Sequence, residues 1–291
     1  MSSVDAAQGT DPGDPGTSWN RDRAAAARFE TCSVPFLLGP WIPDLVQSVQ
    51  PAAHERILDL ACGTGAVARE VVRKADPSGR VTGVDLNPDM LSVAQEAAGN
   101  LTGRIQWKQG NAVPLPFPGR TFDMVLCHQG LQFFPDRNAA LREIRRVLTP
   151  GGRVALGVWG SIERNPYPLA LARSVERYLG AAAGATVRAS FSLGDRTRLQ
   201  ALLAAAGFTG IHVQALVKTL ALPPLEEFIP RHLASTSLAH AAAALEPASR
   251  AALVADVVNA LGPVARSASP AFPFETLQAV ARTPGPEPDG E

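Results

Sequence analysis

A glycine-rich turn stands between an apolar run and a stretch of helix-forming residues. The run Arg56–Leu60 leads into the turn Ala61–Gly65, and a helical pattern follows. Gly63, Gly65 and Ala68 match the spacing G-x-G-x-x-A, in which glycines allow a tight turn and let a ligand approach the backbone. The first N–H groups of the following helix are free to bind polar ligand atoms. The stretch therefore predicts a small-molecule binding turn.

Two aspartates flank this turn at positions where chemistry is expected. Asp59 ends the first apolar run, and Asp85 ends the next one, about 20 residues after the turn, where an acidic side chain can accept both hydroxyls of a ribose. Each feature alone is consistent with an ordinary strand–helix turn and a helix cap. Together they favour a nucleoside-containing ligand, and they leave a nicotinamide-dependent oxidoreductase open as a minor alternative.

A histidine follows a later apolar run, in "LCHQGLQFF". We predict that His128 lies at the carboxyl end of its strand, and a neutral imidazole is suited to general-base catalysis. A hydrogen bond from His128 to the bound ligand or to the backbone is the equal alternative. The entrance of the binding site at this strand end is expected to be lined by Gln129, Gln132 and Phe133.

A second group of candidates lies beyond residue 160. His232, in "FIPRHLAST", is a second candidate base, although we favour a position in a pocket wall or at the surface. Tyr167 is expected to help enclose a second small molecule, and a packed amphipathic helix predicts the same apolar positions. Asp123 and Asp136 form no convincing metal cluster, so no metal is expected.

The elements that must position these residues alternate regularly. Strands are predicted at 56–60, 80–85, 105–108, 122–128 and 153–159, separated by helices at 66–74, 88–98 and 138–148. Strands that alternate with helices imply crossovers and a parallel sheet. The strands are apolar on both faces, as in an open, doubly wound α/β domain whose ligand binds at the carboxyl strand ends.

The second half of the chain has a different pattern. Two helical segments precede a strand-like alternation at 209–222, and another such alternation occurs at 272–282. These two strands are expected to be antiparallel neighbours at one sheet edge, with the helical block 225–261 over the strand ends as a lid. We therefore divide the chain into a disordered tail (1–18), N-terminal helices with the parallel core (19–160), lid helices with the last strands of the same sheet (161–282) and a second disordered tail (283–291).

Composition excludes several classes of partner. The 291 residues include 27 basic and 27 acidic ones, so no bulk charge favours nucleic acid or an anionic membrane. The three cysteines lie far apart and fit a reducing compartment. We find neither a signal peptide nor an 18-residue apolar span, so we expect a cytoplasmic protein without a membrane partner, as a monomer or a homodimer.

The amino-acid sequences of the motifs resemble those of one family, the class I S-adenosylmethionine-dependent methyltransferases, and in particular their type 11 small-molecule group. "LDLACGTG" (58–65) resembles the first family motif, and "VTGVDLNPDML" (81–91) resembles the ribose-binding motif. Residues 109–136 and 140–156 resemble the segments that follow. The resemblance is strong from residue 56 to 159 and weak beyond. It implies a Rossmann-like, doubly wound, mostly parallel sheet with an antiparallel edge strand and an α-helical lid.

The resemblance also implies roles for individual residues. Asp59 would hold the cofactor ammonium, directly or through water, and Asp85 would accept the ribose hydroxyls. Leu86 and Met90 would lie against the adenine, and Asn111 stands where the family often has aspartate, with its carbonyl still able to accept from the adenine amino group. The implied cofactor-binding set as a whole is Asp59, Ala61, Cys62, Gly63, Thr64, Gly65, Asp85, Leu86, Met90, Gly110, Asn111, Ala112 and His128.

The expected function is methyl transfer from S-adenosylmethionine to a small-molecule acceptor, with O-methylation in secondary or specialised metabolism as the first hypothesis. N- or C-methylation is the second. A cofactor-binding protein that does not methylate, such as a cyclase or a regulatory module, is a separate alternative. The lid is the part of the chain that would select the acceptor, and it carries the least motif content.

Overall fold

The computed structural model describes residues 22–74 and 80–285. Seven strands form one sheet: β1 (Arg56–Leu60), β2 (Arg80–Asp85), β3 (Ile105–Gln109), β4 (Phe122–His128), β5 (Leu148–Trp159), β6 (Thr209–Ala221) and β7 (Ala271–Arg282). Their order across the sheet is β3-β2-β1-β4-β5-β7-β6. The first five strands are parallel, and β7 runs antiparallel to both of its neighbours. The expected doubly wound, mostly parallel sheet is confirmed.

Helices cover the two faces of this sheet. They are α1 (Arg23–Arg28), α2 (Ile42–Val49), α3 (Ala66–Lys74), α4 (Pro88–Ala98), α5 (Arg137–Val147), α6 (Pro166–Leu179), α7 (Ala181–Ala189), α8 (Arg196–Ala205), α9 (Leu225–Leu233), α10 (Ala239–Ala243) and α11 (Pro247–Leu261). One face packs apolar residues of α2 and α3 on the parallel strands, and the other packs those of α5 and α8. Both faces of the central strands are therefore buried, as their apolar sequences predict.

Side-chain caps begin several of the crossover helices. Asn87 accepts a hydrogen bond from the Asp89 N–H at the start of α4, and Asp136 accepts one from the Ala139 N–H at the start of α5. Such caps satisfy backbone donors that have no partner within the helix. They fix the point at which the chain leaves the carboxyl end of each strand, where the predicted site lies.

The N-terminal segment differs from the two helices expected there. After α1 the backbone continues as a π-helix, Phe29–Leu38, and then as a short 3₁₀ turn before α2. Pro35 lies inside the π-helix, so the prolines shape this run without ending it. The run brings Phe29–Leu38 across the carboxyl ends of the strands.

The last two strands lie as an antiparallel pair, with one refinement of the prediction. β7 inserts between β5 and β6, so β6 is the edge strand and the antiparallel strand is internal. The segment between β6 and β7, here called the lid (Leu225–Leu261), packs α9 and α11 on an apolar cluster that also includes Trp41, Trp159 and Tyr167. The lid therefore shares a core with the sheet.

Both predicted tails lie wholly or mostly outside the described residues. At the C-terminus the described chain extends beyond the end predicted for the folded part. The Thr283 hydroxyl donates to the Thr149 carbonyl, and the Pro284 carbonyl accepts from the Gly151 N–H. These two residues are thus held against the turn that opens β5. Across the ranges described, none of the helices has the length and apolar character needed to cross a bilayer.

Candidate functional site

A cleft opens where β1, β2 and β4 end, with a cavity volume of about 290 Å³. Its floor is the glycine turn and the ends of these strands. The rest of its lining includes residues of the Phe29–Leu38 π-helix, Trp159 and residues of the lid. Most of the residues predicted from the motifs line it: Asp59, Ala61, Cys62, Gly63, Thr64, Asp85, Leu86, Met90, Gly110, Asn111, Ala112, His128, Gln129, Phe133 and His232.

The turn has the backbone conformation that its glycines permit. Gly63 and Gly65 have φ angles of +52° and +79°, and Ala61 is held at +55°. A Cβ atom on Gly65 would lie 2.2 Å from the Trp107 ring, whereas one on Gly63 would meet only the Phe29 ring at 3.7 Å. Gly65 therefore lies beneath the cleft, where it allows β3 to pack against the turn, and is not among the lining residues.

Asp59 lies at the bottom of the cleft, and one of its two carboxylate oxygens has no hydrogen-bond partner among the described residues. The Ala68 N–H donates to Oδ2 over 2.9 Å, while Oδ1 is buried and has no hydrogen-bond partner among the described residues. Burial, supported by the nearby Asp85 charge, raises the Asp59 pKa to about 8. A buried, unpaired carboxylate oxygen is costly unless a ligand supplies a donor. An ammonium group is such a donor, so the geometry fits a ligand that carries one.

Asp85 is aimed at the turn by two backbone donors. Its Oδ2 accepts from the Gly63 N–H over 2.8 Å, and its Oδ1 accepts from the Asn87 N–H over 2.9 Å. Burial raises the pKa of the Asp85 carboxyl, and these two hydrogen bonds oppose the shift. Each carboxylate oxygen keeps a second lone pair, so the side chain can still accept two hydroxyl donors.

An apolar slot extends from Asp85 along the cleft. Met90 and Ala112 are buried, and Leu86 is 48% exposed beside them. Asn111 accepts from the Val113 N–H at 3.3 Å, so its carbonyl oxygen serves a local turn in this conformation. These apolar side chains are suited to contact a purine, and the contact of Asn111 with an adenine stays a prediction.

The ring nitrogens of His128 do not have the orientation expected of a general base. Its Nε2 donates to the Leu38 carbonyl over 3.1 Å, and its Nδ1 is buried without a described partner. A Cβ on Gly157 would lie 2.5 Å from Nδ1, so this nitrogen faces the backbone of β5. Burial lowers the His128 pKa to about 4, which keeps the ring neutral. In this conformation neither ring nitrogen is available to the cleft, and a base role requires that the ring turn.

Two of the predicted acceptor-binding residues lie behind the cleft wall. Gln132 is buried, and its Nε2 donates to Gln129 Oε1 over 2.7 Å. Tyr167 is fully buried, with its hydroxyl 2.9 Å from His232 Nδ1. Tyr167 is not among the residues that line the cleft and contacts it through His232, so its expected part in enclosing the acceptor stays a prediction.

Several lining residues were not predicted from the sequence. The π-helix contributes Phe29, Val34 and Leu38 to the wall, and Ser33 Oγ lies 2.8 Å from Ser235 Oγ of the lid. The motifs gave no signal for these residues, because their positions depend on how distant segments pack over the strand ends. The π-helix and the lid therefore meet above the cleft and form its roof.

A buried ion pair ties this roof to the glycine turn. Arg69, on α3, donates to the Thr64 carbonyl and to Glu30 of the π-helix, the latter over 2.6 Å. The Arg69 side chain is only 8% exposed. Loss of one partner from such a pair leaves a buried charge uncompensated. Arg69 thus couples the order of the turn to the placement of the π-helix.

Comparisons with known proteins show which family the chain resembles. The family model described as "Methyltransferase domain" matches residues 57–152. The demethylmenaquinone methyltransferase of Staphylococcus carnosus is 31% identical over 190 residues, which cover 60% of this chain and 76% of that relative. The ubiquinone/menaquinone biosynthesis C-methyltransferase of Pasteurella multocida is 45% identical over 101 residues, which cover 34% of this chain and 38% of the relative.

A solved structure extends the likeness to most of the fold. The phosphoethanolamine N-methyltransferase 2 of Haemonchus contortus matches with a TM-score of 0.58 at 19% identity, over 90% of this chain and 57% of that one. Against three curated quinone-pathway relatives the chain spans between 38 and 52% of their length. The chain belongs to the class I S-adenosylmethionine-dependent methyltransferases.

Proposed function

We propose that this chain transfers the methyl group of S-adenosylmethionine to an oxygen atom of a small, largely apolar acceptor. The observation that carries this proposal is one cleft with two differently built halves. The floor presents Asp59 Oδ1 and the Asp85 carboxylate, whereas the roof presents apolar and aromatic side chains together with His232. A cofactor and a second molecule would thus meet in one enclosed space.

The chain would hold the cofactor and the acceptor in place and would exclude water from them. When bound, S-adenosylmethionine supplies a methyl group on a positive sulfur that is already activated for transfer. Asp59 would hold the ammonium and Asp85 the ribose, while Met90 and Ala112 would enclose the base. Phe133 and Trp159 would hold the acceptor against the reacting group. Holding two reactants in line contributes several kcal/mol to catalysis, and exclusion of water strengthens the electrostatic contacts.

Carbon methylation is a second candidate, favoured by the names of the quinone-pathway relatives. The match to the Pasteurella multocida relative covers about a third of this chain. That stretch is too short to include both the motif-bearing half and the lid, so its acceptor does not transfer directly. A phenolic acceptor serves both candidates, because methylation at its oxygen or at the adjacent ring carbon starts from the same deprotonated hydroxyl.

Calorimetric titration with S-adenosylmethionine, S-adenosylhomocysteine and NAD⁺ tests the cofactor half of the proposal. Saturable binding of the first two without the third supports it, and binding of NAD⁺ alone contradicts it. A panel of phenols incubated with S-adenosylmethionine then tests the acceptor half, with O-methyl and C-methyl products separated by mass spectrometry and NMR. Cofactor binding without turnover on any member of the panel would favour the non-methylating alternative.

A further inference from the structure

The roof of the cleft contains a hydrogen-bonded pair of polar rings, of which Tyr167 is buried and His232 is partly buried. Tyr167 Oη lies 2.9 Å from His232 Nδ1, and both rings pack on Phe228, at centroid distances of 5.7 and 5.5 Å. Tyr167 is completely buried. Its hydroxyl has no other hydrogen-bond partner among the residues described, so the pair acts as one unit.

The hydrogen bond in this pair fixes the tautomer of His232. A buried hydroxyl hydrogen needs an acceptor, and His232 Nδ1 is the one within reach. If Nδ1 carried the hydrogen, the Tyr167 hydroxyl would be left with an unused donor in the core, at a cost of about 1–3 kcal/mol. Tyr167 therefore donates to Nδ1, and Nε2 carries the hydrogen. Burial lowers the His232 pKa to about 4, so the neutral ring persists at ordinary pH.

Nε2 of His232 has no hydrogen-bond partner among the described residues and is not one of the buried unpaired atoms, so its N–H group is accessible, and His232 lines the cleft. The neighbouring hydroxyls are already used: Ser235 Oγ donates to the His232 carbonyl over 2.7 Å and lies against Ser33, and Thr236 donates to the Leu233 carbonyl. His232 lines the same cavity as Phe133 and Trp159. One fixed donor thus stands beside aromatic walls.

The Trp159 ring is packed against other aromatic rings. The Phe191 ring stacks behind it at 5.9 Å and 27°, and Trp41 packs edge-on at 6.3 Å. Only 8% of Trp159 is exposed. The part of this aromatic ring that lines the cleft suits contact with an aromatic ligand, whereas a flexible aliphatic chain would gain less from it.

We propose that the Nε2–H group of His232, oriented by Tyr167, recognises the acceptor oxygen, and that the acceptor class is hydroxylated aromatics bound as phenolates. This inference rests on the proposed function and names its substrate class. An N–H group that only donates favours an oxygen that has lost its hydrogen, and a charged acceptor strengthens the bond.

His128 does not provide the same contact. Its hydrogen is used by the Leu38 carbonyl, and its other nitrogen faces the backbone. In this geometry His232 is therefore a positioning residue for the acceptor, while His128 holds the π-helix to the end of β4.

The test compares two probes of similar shape that differ in the oxygen. 2-Naphthol and 2-methylnaphthalene are each titrated into protein saturated with S-adenosylhomocysteine, at about pH 9, where a phenol is partly ionised. The wild type is expected to bind 2-naphthol at least about tenfold more tightly, as for a hydrogen bond to a charged group. This advantage should increase as the pH approaches the pKa of the naphthol.

Three variants test whether the tighter binding of 2-naphthol depends on the Tyr167–His232 pair. His232→Phe keeps a ring of similar size without the N–H group and should remove the advantage. Tyr167→Phe removes the hydrogen bond that fixes the His232 tautomer, so it should reduce the preference for 2-naphthol in part. His240→Gln, on the exposed helix α10 of the lid, is the matched control and should leave it unchanged. All three should keep the wild-type affinity for S-adenosylhomocysteine, which also verifies the fold.

The outcomes separate this inference from the proposed function. If wild type does not bind S-adenosylhomocysteine, the proposed function fails, and this inference fails with it. If S-adenosylhomocysteine binds but wild type shows no preference for 2-naphthol, or His232→Phe retains the preference, this inference alone is overturned.

Discussion

Cofactor binding should depend on pH through Asp59. Its carboxyl is buried, and its pKa in the folded chain is raised from the ordinary 3.8 to about 8. A ligand ammonium placed at Oδ1 stabilises the ionised form, so binding at lower pH must release the proton. Each pH unit below about 8 should then weaken binding about tenfold, or about 1.4 kcal/mol.

The assay is calorimetric titration of S-adenosylhomocysteine between about pH 6 and pH 8, in two buffers of different ionisation enthalpy at each pH. The difference between the two buffers counts the protons released, and we expect close to one per ligand at the lower end of this range. Asp59→Asn cannot release a proton, so its affinity should be weaker and independent of pH. 5′-Methylthioadenosine, which lacks the ammonium, is the matched ligand control and should show no pH dependence with wild type.

Two results would refute this reasoning. An affinity of S-adenosylhomocysteine for wild type that does not change over this range would show that Asp59 is not the partner of the ammonium. An equal pH dependence in Asp59→Asn would assign the proton to another group.

The remaining predictions concern stability and the ribose contact. Since the raised Asp59 pKa makes the ligand-free chain lose stability as pH rises from about 4 to about 8, Asp59→Asn should be the more stable protein at neutral pH in urea unfolding, and a lower stability would contradict the assigned shift. Asp85→Ala should abolish binding of both S-adenosylhomocysteine and 5′-methylthioadenosine while the circular dichroism stays unchanged; retained affinity for either would remove Asp85 from the ribose site. Gly65→Ala should destabilise the fold by about 1–3 kcal/mol more than Gly63→Ala, because only its Cβ overlaps the Trp107 ring. Trp107→Phe should recover part of that difference, and equal effects of the two glycine substitutions would contradict the packing.

The sequence predicted the cofactor half of the site because local patterns determine it. Asp59 and Asp85 end neighbouring strands, and the β1–β2 pairing places Asp59 opposite Gly83, two residues from Asp85. Alternating apolar runs and glycine spacing are sufficient to predict such a juxtaposition. The bounds of the parallel strands and their helices were predicted to within one residue for the same reason, except that β5 begins at Leu148, five residues before its predicted start.

The acceptor half depends on contacts between distant segments. His128 is held by the Leu38 carbonyl, 90 residues away in the chain, and this contact decides which nitrogen carries the hydrogen. Tyr167 and His232 are 65 residues apart and meet only because α6 and α9 pack together in the lid core. No local pattern encodes either pairing, so the sequence identified these residues as candidates without predicting the partners that they contact.

The insertion of β7 between β5 and β6 has a similar cause. Periodicity shows that both final segments are strands, but the register that brings Leu156 opposite Ala279 is a property of the folded sheet. The π-helical backbone of Phe29–Leu38 likewise reflects its packing over the cleft.

The central claim is tested most directly by determining which molecule carries the methyl group after the reaction. Incubation of the full chain with methyl-labelled S-adenosylmethionine and 2-naphthol, followed by mass spectrometry, should give a labelled naphthol product and an equal amount of S-adenosylhomocysteine. His232→Phe should form the same product more slowly. Absence of labelled product from the whole phenol panel, in a protein that binds the cofactor, would contradict the claim that this cleft methylates hydroxylated aromatics.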